Sequence, residues 1–303
     1  MTLIRVDAVE DRPQLHGLGE APGALLAEAV RGTRGPVVVM IHGYKFVPGH
    51  PVRCPHRHIL GLEARRDCWK AVSWPRALGF AGASAEEGLG LAFGWHARGT
   101  LWEAWRRAEA AGVALAQVVE VLRAAAPERP VHVVAHSLGA RVALVAMTRA
   151  AEGAFGRVLL LAGAEFAGAA EAALVAPGGR RAELVNVASR ENLPFDLMLE
   201  ALIAPARPGD VTLGRGLAPG PRRATLRLDD AGTLAALAGR GFRVAPPARR
   251  ICHWSAYLRP GALDLYRALL RAPERVPLAA LATASGRASG ARAPLPSPAA
   301  APS

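Results

Sequence analysis

The sequence has few cysteines, almost no lysine and no long apolar run. Its 303 residues include three cysteines, Cys54, Cys68 and Cys252. An odd number without dense spacing implies no disulfide framework. No apolar run reaches the roughly 20 residues that a membrane-spanning helix needs, and acidic residues interrupt the N-terminal segment where a secretory signal would be apolar. These absences predict a soluble, cytoplasmic protein without integral membrane association.

The sequence also lacks the motifs and basic runs of nucleotide- or nucleic-acid-binding proteins. No phosphate-binding G-x-x-x-x-G-K-[ST] segment occurs, so nucleotide binding has no support. The formal net charge is +12, with Lys45 and Lys70 as the only lysines. The arginines are scattered and not interleaved with aromatic residues, which make up 5% of the chain. We therefore attribute the charge to a composition rich in Ala, Arg, Gly and Pro, and expect no nucleic-acid partner.

Short β-branched runs alternate with helical stretches through most of the chain. Predicted strands lie at residues 36–41, 89–95, 131–135, 158–162 and 184–187, and predicted helices lie at 101–125, 139–151, 167–174, 194–203, 231–239 and 260–271. This alternation is typical of an α/β fold with a mostly parallel sheet and helices on both faces.

We expect one domain over residues 1–272, followed by a disordered Ala/Pro/Ser-rich tail at 273–303. Residues 45–87 are irregular and are predicted to form a loop or lid insertion. Phe46, Trp69, Trp74 and Phe80 in this segment are expected to line an apolar substrate cleft, with a packed surface excursion as the alternative.

The segment Ala135-His136-Ser137-Leu138-Gly139 follows an apolar run and opens into a helical stretch. A strand, a sharp turn and a helix, with serine at the turn, are the context of a nucleophile elbow. The alternative is an ordinary helix-capping serine. The expected base is His253, because it is the last histidine and precedes the final helix; His136 is too close to Ser137 in the chain to serve its neighbour.

Together these residues resemble the α/β-hydrolase superfamily, in particular bacterial lipase- or esterase-like hydrolases with a His-Ser-Leu-Gly elbow. The matching features are His42-Gly43 after the strand at 36–41, the elbow at 135–139 and His253, and the resemblance spans residues 36–271. Ala135 departs from the usual G-x-S-x-G form. The resemblance implies an α/β-hydrolase fold and a serine nucleophile, and it does not specify the substrate.

The resemblance also implies an oxyanion hole and residues around the substrate. The expected backbone donors are Leu138 and either Tyr44 or Lys45, with Gly43 allowing a close approach. His42, Gly43, Trp95 and His136 are expected beside the substrate, since ligands gather at the carboxyl ends of parallel strands.

The carboxylate that orients His253 is not fixed by any motif. Family members commonly carry an acid a few residues after the strand at 184–187, where Glu191 fits the offset best and Asp196 comes second. Glu165, after the strand at 158–162, is a third choice. The alternative for each is a solvated carboxylate.

No metal and no organic cofactor are predicted. The segment from His50 to His58, with Cys68 beyond it, contains ligand residue types, but the spacing matches no familiar zinc pattern.

These expectations describe a serine hydrolase that cleaves ester-type acyl bonds of a small-molecule substrate through an acyl-enzyme. Short-to-medium acyl chains are expected because the sequence lacks a long apolar lid helix. The alternatives are thioesterase, amidase or acyltransferase chemistry on the same triad, or a catalytically degenerate binding protein. A nucleic-acid binder, by contrast, would show steeply salt-dependent DNA affinity. The sequence gives no oligomeric state.

Overall fold

The central element is one open sheet with the strand order β2-β1-β4-β3-β5-β6-β7-β8. The computed structural model describes residues 2–63, 65 and 67–281. The strands are β1 (Leu3–Val9), β2 (Arg12–Leu15), β3 (Val37–Ile41), β4 (Leu89–Trp95), β5 (Val131–His136), β6 (Phe155–Leu161), β7 (Glu183–Ala188) and β8 (Arg223–Arg227). Within this sheet β2 pairs antiparallel with β1, and the other neighbours are parallel. The predicted mostly parallel α/β sheet is confirmed.

Helices cover both faces of the sheet. They are α1 (Gly23–Arg31), α2 (Trp74–Ala77), α3 (Leu101–Ala125), α4 (Gly139–Arg149), α5 (Ala167–Val175), α6 (Leu193–Leu202), α7 (Ala231–Ala238), α8 (Ser255–Leu258) and α9 (Ala262–Arg271). Side chains alternate between the faces along each strand. Val39 and Ile41 of β3 therefore pack with α1, α3 and α4, whereas Val38 and Met40 pack with α2, α8 and α9.

The parallel pairing brings the loops that carry the candidate residues to one edge. β3 ends at Ile41, β5 at His136 and β7 at Ala188, each followed by a loop. Parallel strands have their carboxyl ends at the same edge of the sheet, and ligands of open α/β sheets bind there. The segments 42–45, 137–139 and 189–196 are neighbours for this reason.

Strands β1, β2 and β8 were not predicted from the sequence. Residues 205–224 read as a loop, yet β8 begins at Arg223. It is an edge strand, in which only Ala224 and Leu226 are buried. An edge strand that buries so little carries a weak apolar pattern, and the arginines at both of its ends resemble loop residues.

The segment 45–87 contributes to the core as well as to the surface. Trp74, in α2, and Phe80 are fully buried among the residues packed under α9. They do not line a cleft, which corrects the expectation for these two rings. Trp69 is 56% exposed, and Phe46 packs between the rings of His42 and His58.

The first part of the predicted tail is packed against the domain. Val276, Leu278 and Leu281 are buried, and the Arg157 guanidinium donates a 2.9 Å hydrogen bond to the Val276 carbonyl. Residues 273–281 are thus held by apolar burial that the Ala/Pro-rich composition obscured. The rest of the predicted tail, residues 282–303, lies outside the described residues.

Of the helices in the described part of the chain, none combines the length and the apolar character needed to cross a bilayer.

Candidate active site

Ser137 lies in a sharp turn between β5 and α4. Its φ is +56°, in the left-handed region that a side chain disfavours by about 1–2 kcal/mol. The backbone is fixed on both sides, because the Ser137 N–H donates to the Leu161 carbonyl at 3.0 Å and the Ser137 carbonyl accepts from Ala140 and Ala164. Such a strained, well-anchored turn is the geometry that presents a serine hydroxyl at the end of a sheet.

The hydroxyl of Ser137 meets the imidazole of His253. Ser137 Oγ lies 2.8 Å from His253 Nε2, within hydrogen-bond distance. The His253 ring stacks on Phe195, with ring centroids 4.6 Å apart, and lies 4.7 Å from the His136 ring. Burial, followed by the nearby His136 and Lys70, lowers the pKa of His253 well below its usual 6.5. The imidazole is therefore neutral at pH 7, as a general base must be.

The second nitrogen of His253 faces an amide rather than a carboxylate. His253 Nδ1 lies 2.6 Å from Asn192 Oδ1, which can only accept, so the proton is on Nδ1 and Nε2 is free to accept from Ser137. Asn192 Nδ2 in turn donates to Asp196 Oδ1 at 2.8 Å. The result is a chain of hydrogen bonds that runs Ser137, His253, Asn192, Asp196.

Asp196 stands at the buried end of this chain, on the first turn of α6. Burial raises the pKa of Asp196 to about 7, although the hydrogen bond from Asn192 acts in the opposite direction. The carboxyl group thus changes its charge near neutral pH. Asp196 reaches His253 through Asn192. The sequence did not indicate a role for Asn192, although Asn192 adjoins Glu191.

Glu191, the first choice for the acid, has other partners. Its carboxylate forms a buried ion pair with Arg259 and accepts from Ser189 Oγ. The backbone of Glu191 is also tied to the histidine loop, since its carbonyl accepts from the Cys252 N–H at 2.9 Å. The pull of the Arg259 guanidinium explains why this carboxylate turns away from His253.

Glu165, the third choice, is bound to Arg141. Its Oε2 lies 2.8 Å from Arg141 Nη1, and its Oε1 accepts from the Phe166 N–H. Burial raises the pKa of Glu165, and Arg141 counteracts the shift. The structure places neither Glu165 nor Glu191 against His253.

Two backbone N–H groups beside Ser137 are free to hold a negative oxygen. Among the described residues, neither the Leu138 N–H nor the Tyr44 N–H has a hydrogen-bond acceptor. A Cβ on Gly43 would lie 2.6 Å from Ser137 Cβ, so only glycine permits this approach of the two loops. The Lys45 N–H is engaged by the Ala97 carbonyl at 2.6 Å, which leaves Tyr44 as the available donor of the predicted pair.

His42 and Trp95 hold the Gly43 loop through hydrogen bonds and ring stacking. His42 Nε2 accepts from the Trp95 N–H at 3.0 Å, His42 Nδ1 donates to the Gly43 carbonyl, and the two rings stack 5.7 Å apart. Burial lowers the pKa of His42 to about 3, so the ring is neutral. Both side chains are almost completely buried, and they hold the loop in place.

His136 fastens the loop that carries His253. Its Nε2 donates to the His253 carbonyl at 2.9 Å. Burial lowers the pKa of His136 to about 4, so this donor is also neutral at pH 7. The ring packs edge-on against Tyr257, and His136 as a whole residue is 4% exposed. His136 therefore helps to position His253.

The rim of the site is aromatic, apolar and cationic. Trp69 packs edge-on against Trp254, and Lys70 Nζ lies 3.3 Å from the Trp254 ring centroid. Arg249 lies over the outer face of Trp69. Helix α6 exposes Leu197 and Met198, two and three residues after Phe195, whose ring stacks on His253.

No protein-family model matches the chain, and no curated protein matches its sequence.

Proposed function

We propose that this chain is a serine hydrolase of the α/β-hydrolase type, which cleaves ester-type acyl bonds through an acyl-enzyme. The observation that carries the proposal is the 2.8 Å contact between Ser137 Oγ and His253 Nε2, at a serine whose backbone φ is positive. The order of the parts also supports it: a nucleophile after β5, an orienting loop after β7 and a histidine between β8 and the last long helix, α9.

In the acylation step, Ser137 Oγ attacks the substrate carbonyl carbon while His253 Nε2 takes the hydroxyl proton. The carbonyl oxygen becomes an oxyanion that accepts from the Leu138 and Tyr44 N–H groups. Each such donor contributes roughly 3 kcal/mol to transition-state stabilisation. The C–O bond of the ester then breaks, and the protonated His253 delivers its proton to the departing alkoxide.

In the deacylation step, water takes the place of the alcohol. His253 Nε2 accepts a proton from the water, the resulting hydroxide adds to the acyl carbon, and the bond to Ser137 Oγ breaks. His253 returns its proton to Ser137, and the carboxylic acid leaves. The chain requires no redox partner for this cycle.

Asn192 and Asp196 keep His253 in the productive tautomer. The Asn192 carbonyl accepts the Nδ1 proton, so that Nε2 always points its lone pair at Ser137. A neutral amide stabilises the imidazolium less than a carboxylate does. Ionised Asp196 compensates in part, because it polarises Asn192 through the 2.8 Å hydrogen bond.

An apolar acyl group of short-to-medium length fits the rim of the site. Leu197 and Met198 are each 47% exposed, and they offer apolar surface on α6, the helix whose Phe195 ring stacks on His253. We therefore expect p-nitrophenyl esters with short-to-medium acyl chains to react faster than those with very long chains.

The test is hydrolysis of a chain-length series of p-nitrophenyl esters by the wild type, Ser137→Ala and Ser255→Ala. Ser255 is a matched control, because its hydroxyl donates to the Cys252 carbonyl, 3.2 Å away. We expect Ser137→Ala to lose activity and Ser255→Ala to keep it. Equal activity in all three proteins, or none in folded wild type, would contradict the proposal; the second result would favour a binding protein on a hydrolase-like fold.

A further inference from the structure

Three metal-ligand residue types from separate segments meet beside β1. Asp7 lies on β1, His16 follows β2, and His56 lies in the short turn Pro55–Arg57. Asp7 Oδ2 is 2.6 Å from His16 Nδ1, and Asp7 Oδ1 is 2.6 Å from His56 Nε2. The donor atoms of all three residues lie within 4.8 Å of one another. One ion could therefore be reached by all three.

The donor set is selective in its chemistry. Two imidazoles with one carboxylate suit zinc and related divalent transition-metal ions, whereas calcium and magnesium prefer oxygen ligands. The three side chains are shielded, with relative exposures of 12% for Asp7, 15% for His16 and 0% for His56. Asp7 also lines a cavity of about 780 Å³, through which an ion and its water ligands can enter.

Two neighbouring residues, Gly94 and Cys54, shape the cluster: Gly94 leaves space beside Asp7 and His56, and Cys54 lies against the His16 ring. A Cβ on Gly94 would lie 2.4 Å from Asp7 Oδ1 and 2.7 Å from His56 Nε2, so a glycine is needed on β4 opposite these atoms. Cys54 Sγ lies 3.9 Å from His16 Nε2, on the outer side of the ring. An outer partner of this kind fixes the ring of a metal-binding histidine, with its inner nitrogen facing the ion.

We propose that Asp7, His16 and His56 bind one divalent transition-metal ion of the zinc class. In the metal-free protein both imidazoles donate to Asp7. On binding, each proton moves to the outer ring nitrogen, which faces Cys54 in His16 and has no partner among the described residues in His56. The ion then joins β1, the segment after β2 and the turn at 55–57. Water from the cavity completes its coordination.

This site is independent of the proposed hydrolase function. None of its three ligands contacts Ser137, His253 or Asn192 among the interactions of the described residues. The sequence predicted no metal because the ligand types in the segment 50–68 match no familiar zinc spacing. Two of the three ligands come from the N-terminal hairpin, which carries no metal-binding motif.

The test is Zn²⁺ binding to the full chain after removal of metals with a chelator, measured by calorimetry and by metal analysis of the dialysed protein. The variants are His16→Gln, which can still hydrogen-bond Asp7, and Asp7→Asn. The control is His96→Gln, since His96 is exposed and lines the same cavity without belonging to the cluster. Circular dichroism of each metal-free variant establishes that it is folded.

We expect about one equivalent of zinc in the wild type and in His96→Gln, and an affinity lowered about 10-fold or more in His16→Gln and Asp7→Asn. Zinc should also raise the thermal midpoint of the first two proteins by more than that of the last two, because a ligand that binds only the folded state stabilises it in proportion to its affinity. Absence of binding in the wild type overturns the proposal. Equal binding in all four folded proteins overturns it as well, because it assigns the ion to other surface groups.

Discussion

At the scale of single residues, the candidate site depends on which hydrogen bonds and ion pairs its polar groups form. His253 is oriented by Asn192, while the carboxylate of Glu191 is held by Arg259. Asp196 is reached only through Asn192. A carboxylate that is one hydrogen bond removed affects the base through polarisation, and its effect changes when its own charge changes.

The first prediction concerns the pH dependence of kcat/KM for a p-nitrophenyl ester. The lowered pKa of His253 keeps the base neutral below pH 6.5, so activity should persist there. Asp196 loses its proton near pH 7, and the new charge makes His253 more basic through Asn192. We therefore expect a further rise of a few-fold around pH 7 in the wild type.

The variant Asp196→Asn preserves the acceptor oxygen for Asn192 and removes the titration. It should show the same activity at low pH and lack the step near pH 7. Asn192→Ala removes the orienting partner of His253 and should lower kcat/KM about 10²-fold at every pH. A step near pH 7 that survives in Asp196→Asn would show that another group causes it.

At the scale of the elements, the loop after β7 is fastened to Arg259, at the end of the short helix α8 that begins two residues after His253. Glu191 and Arg259 are each about 4% exposed, and Arg259 also donates to the Leu228 carbonyl and Ser189 Oγ. The pair thus joins the carboxyl end of β7 to the chain beyond His253. Its role follows from this position: it holds the two loops together while Asn192 contacts the base.

The second prediction separates this structural role from catalysis. Glu191→Gln leaves the buried Arg259 without its counter-charge, which we expect to reduce the free energy of unfolding by about 3–5 kcal/mol. At a temperature well below the melting midpoint, kcat/KM should stay within a few-fold of wild type. Chemical denaturation and ester hydrolysis measure the two quantities.

A matched control is Glu86→Gln, which breaks an exposed ion pair with Arg34 and should change the unfolding free energy by less than about 1 kcal/mol. If Glu191→Gln instead lost activity at unchanged stability, Glu191 would be the orienting carboxylate and the static arrangement would not be the catalytic one.

At the scale of the whole molecule, buried neutral histidines make stability depend on pH. Burial lowers the pKa of His42 to about 3 and those of His132 and His136 to about 4. Unfolding releases these rings to water, where they bind protons below pH 6.5. The unfolded state therefore binds more protons than the folded state between about pH 4 and 6.5, and stability falls as the pH is lowered through this range.

The third prediction is a decrease in the free energy of unfolding of roughly 1.4 kcal/mol per pH unit for each such histidine below pH 6.5. Asp196 acts in the opposite sense, because its raised pKa makes the folded state bind a proton between pH 3.8 and 7. The buried histidines outnumber it, so the net slope should remain positive. Denaturant titrations at pH 5, 6 and 7 measure it, and His132→Gln should reduce the slope. A stability independent of pH in this range would contradict the assignment.

The sequence predicted the central sheet well because its strands are buried on both faces and read as continuous apolar runs, as in Val37–Ile41. It did not predict β8 or the N-terminal hairpin. These strands lie at or near the sheet edges, and apolar residues alternate with polar residues along them. Ser137 and His253 could be selected from their local contexts. Asn192 could not be selected, because its contact with His253 depends on the ion pair between Glu191 and Arg259. That ion pair forms only in the folded chain.

The central claim is that Ser137 is a nucleophile activated by His253. The most direct test is labelling with a fluorophosphonate, followed by peptide mass mapping, of the wild type, Ser137→Ala and His253→Ala. The account predicts one adduct on the peptide that contains Ser137 in the wild type, none in Ser137→Ala and labelling slowed at least about 10²-fold in His253→Ala. An adduct on another residue, or equal labelling of wild type and His253→Ala, would contradict it.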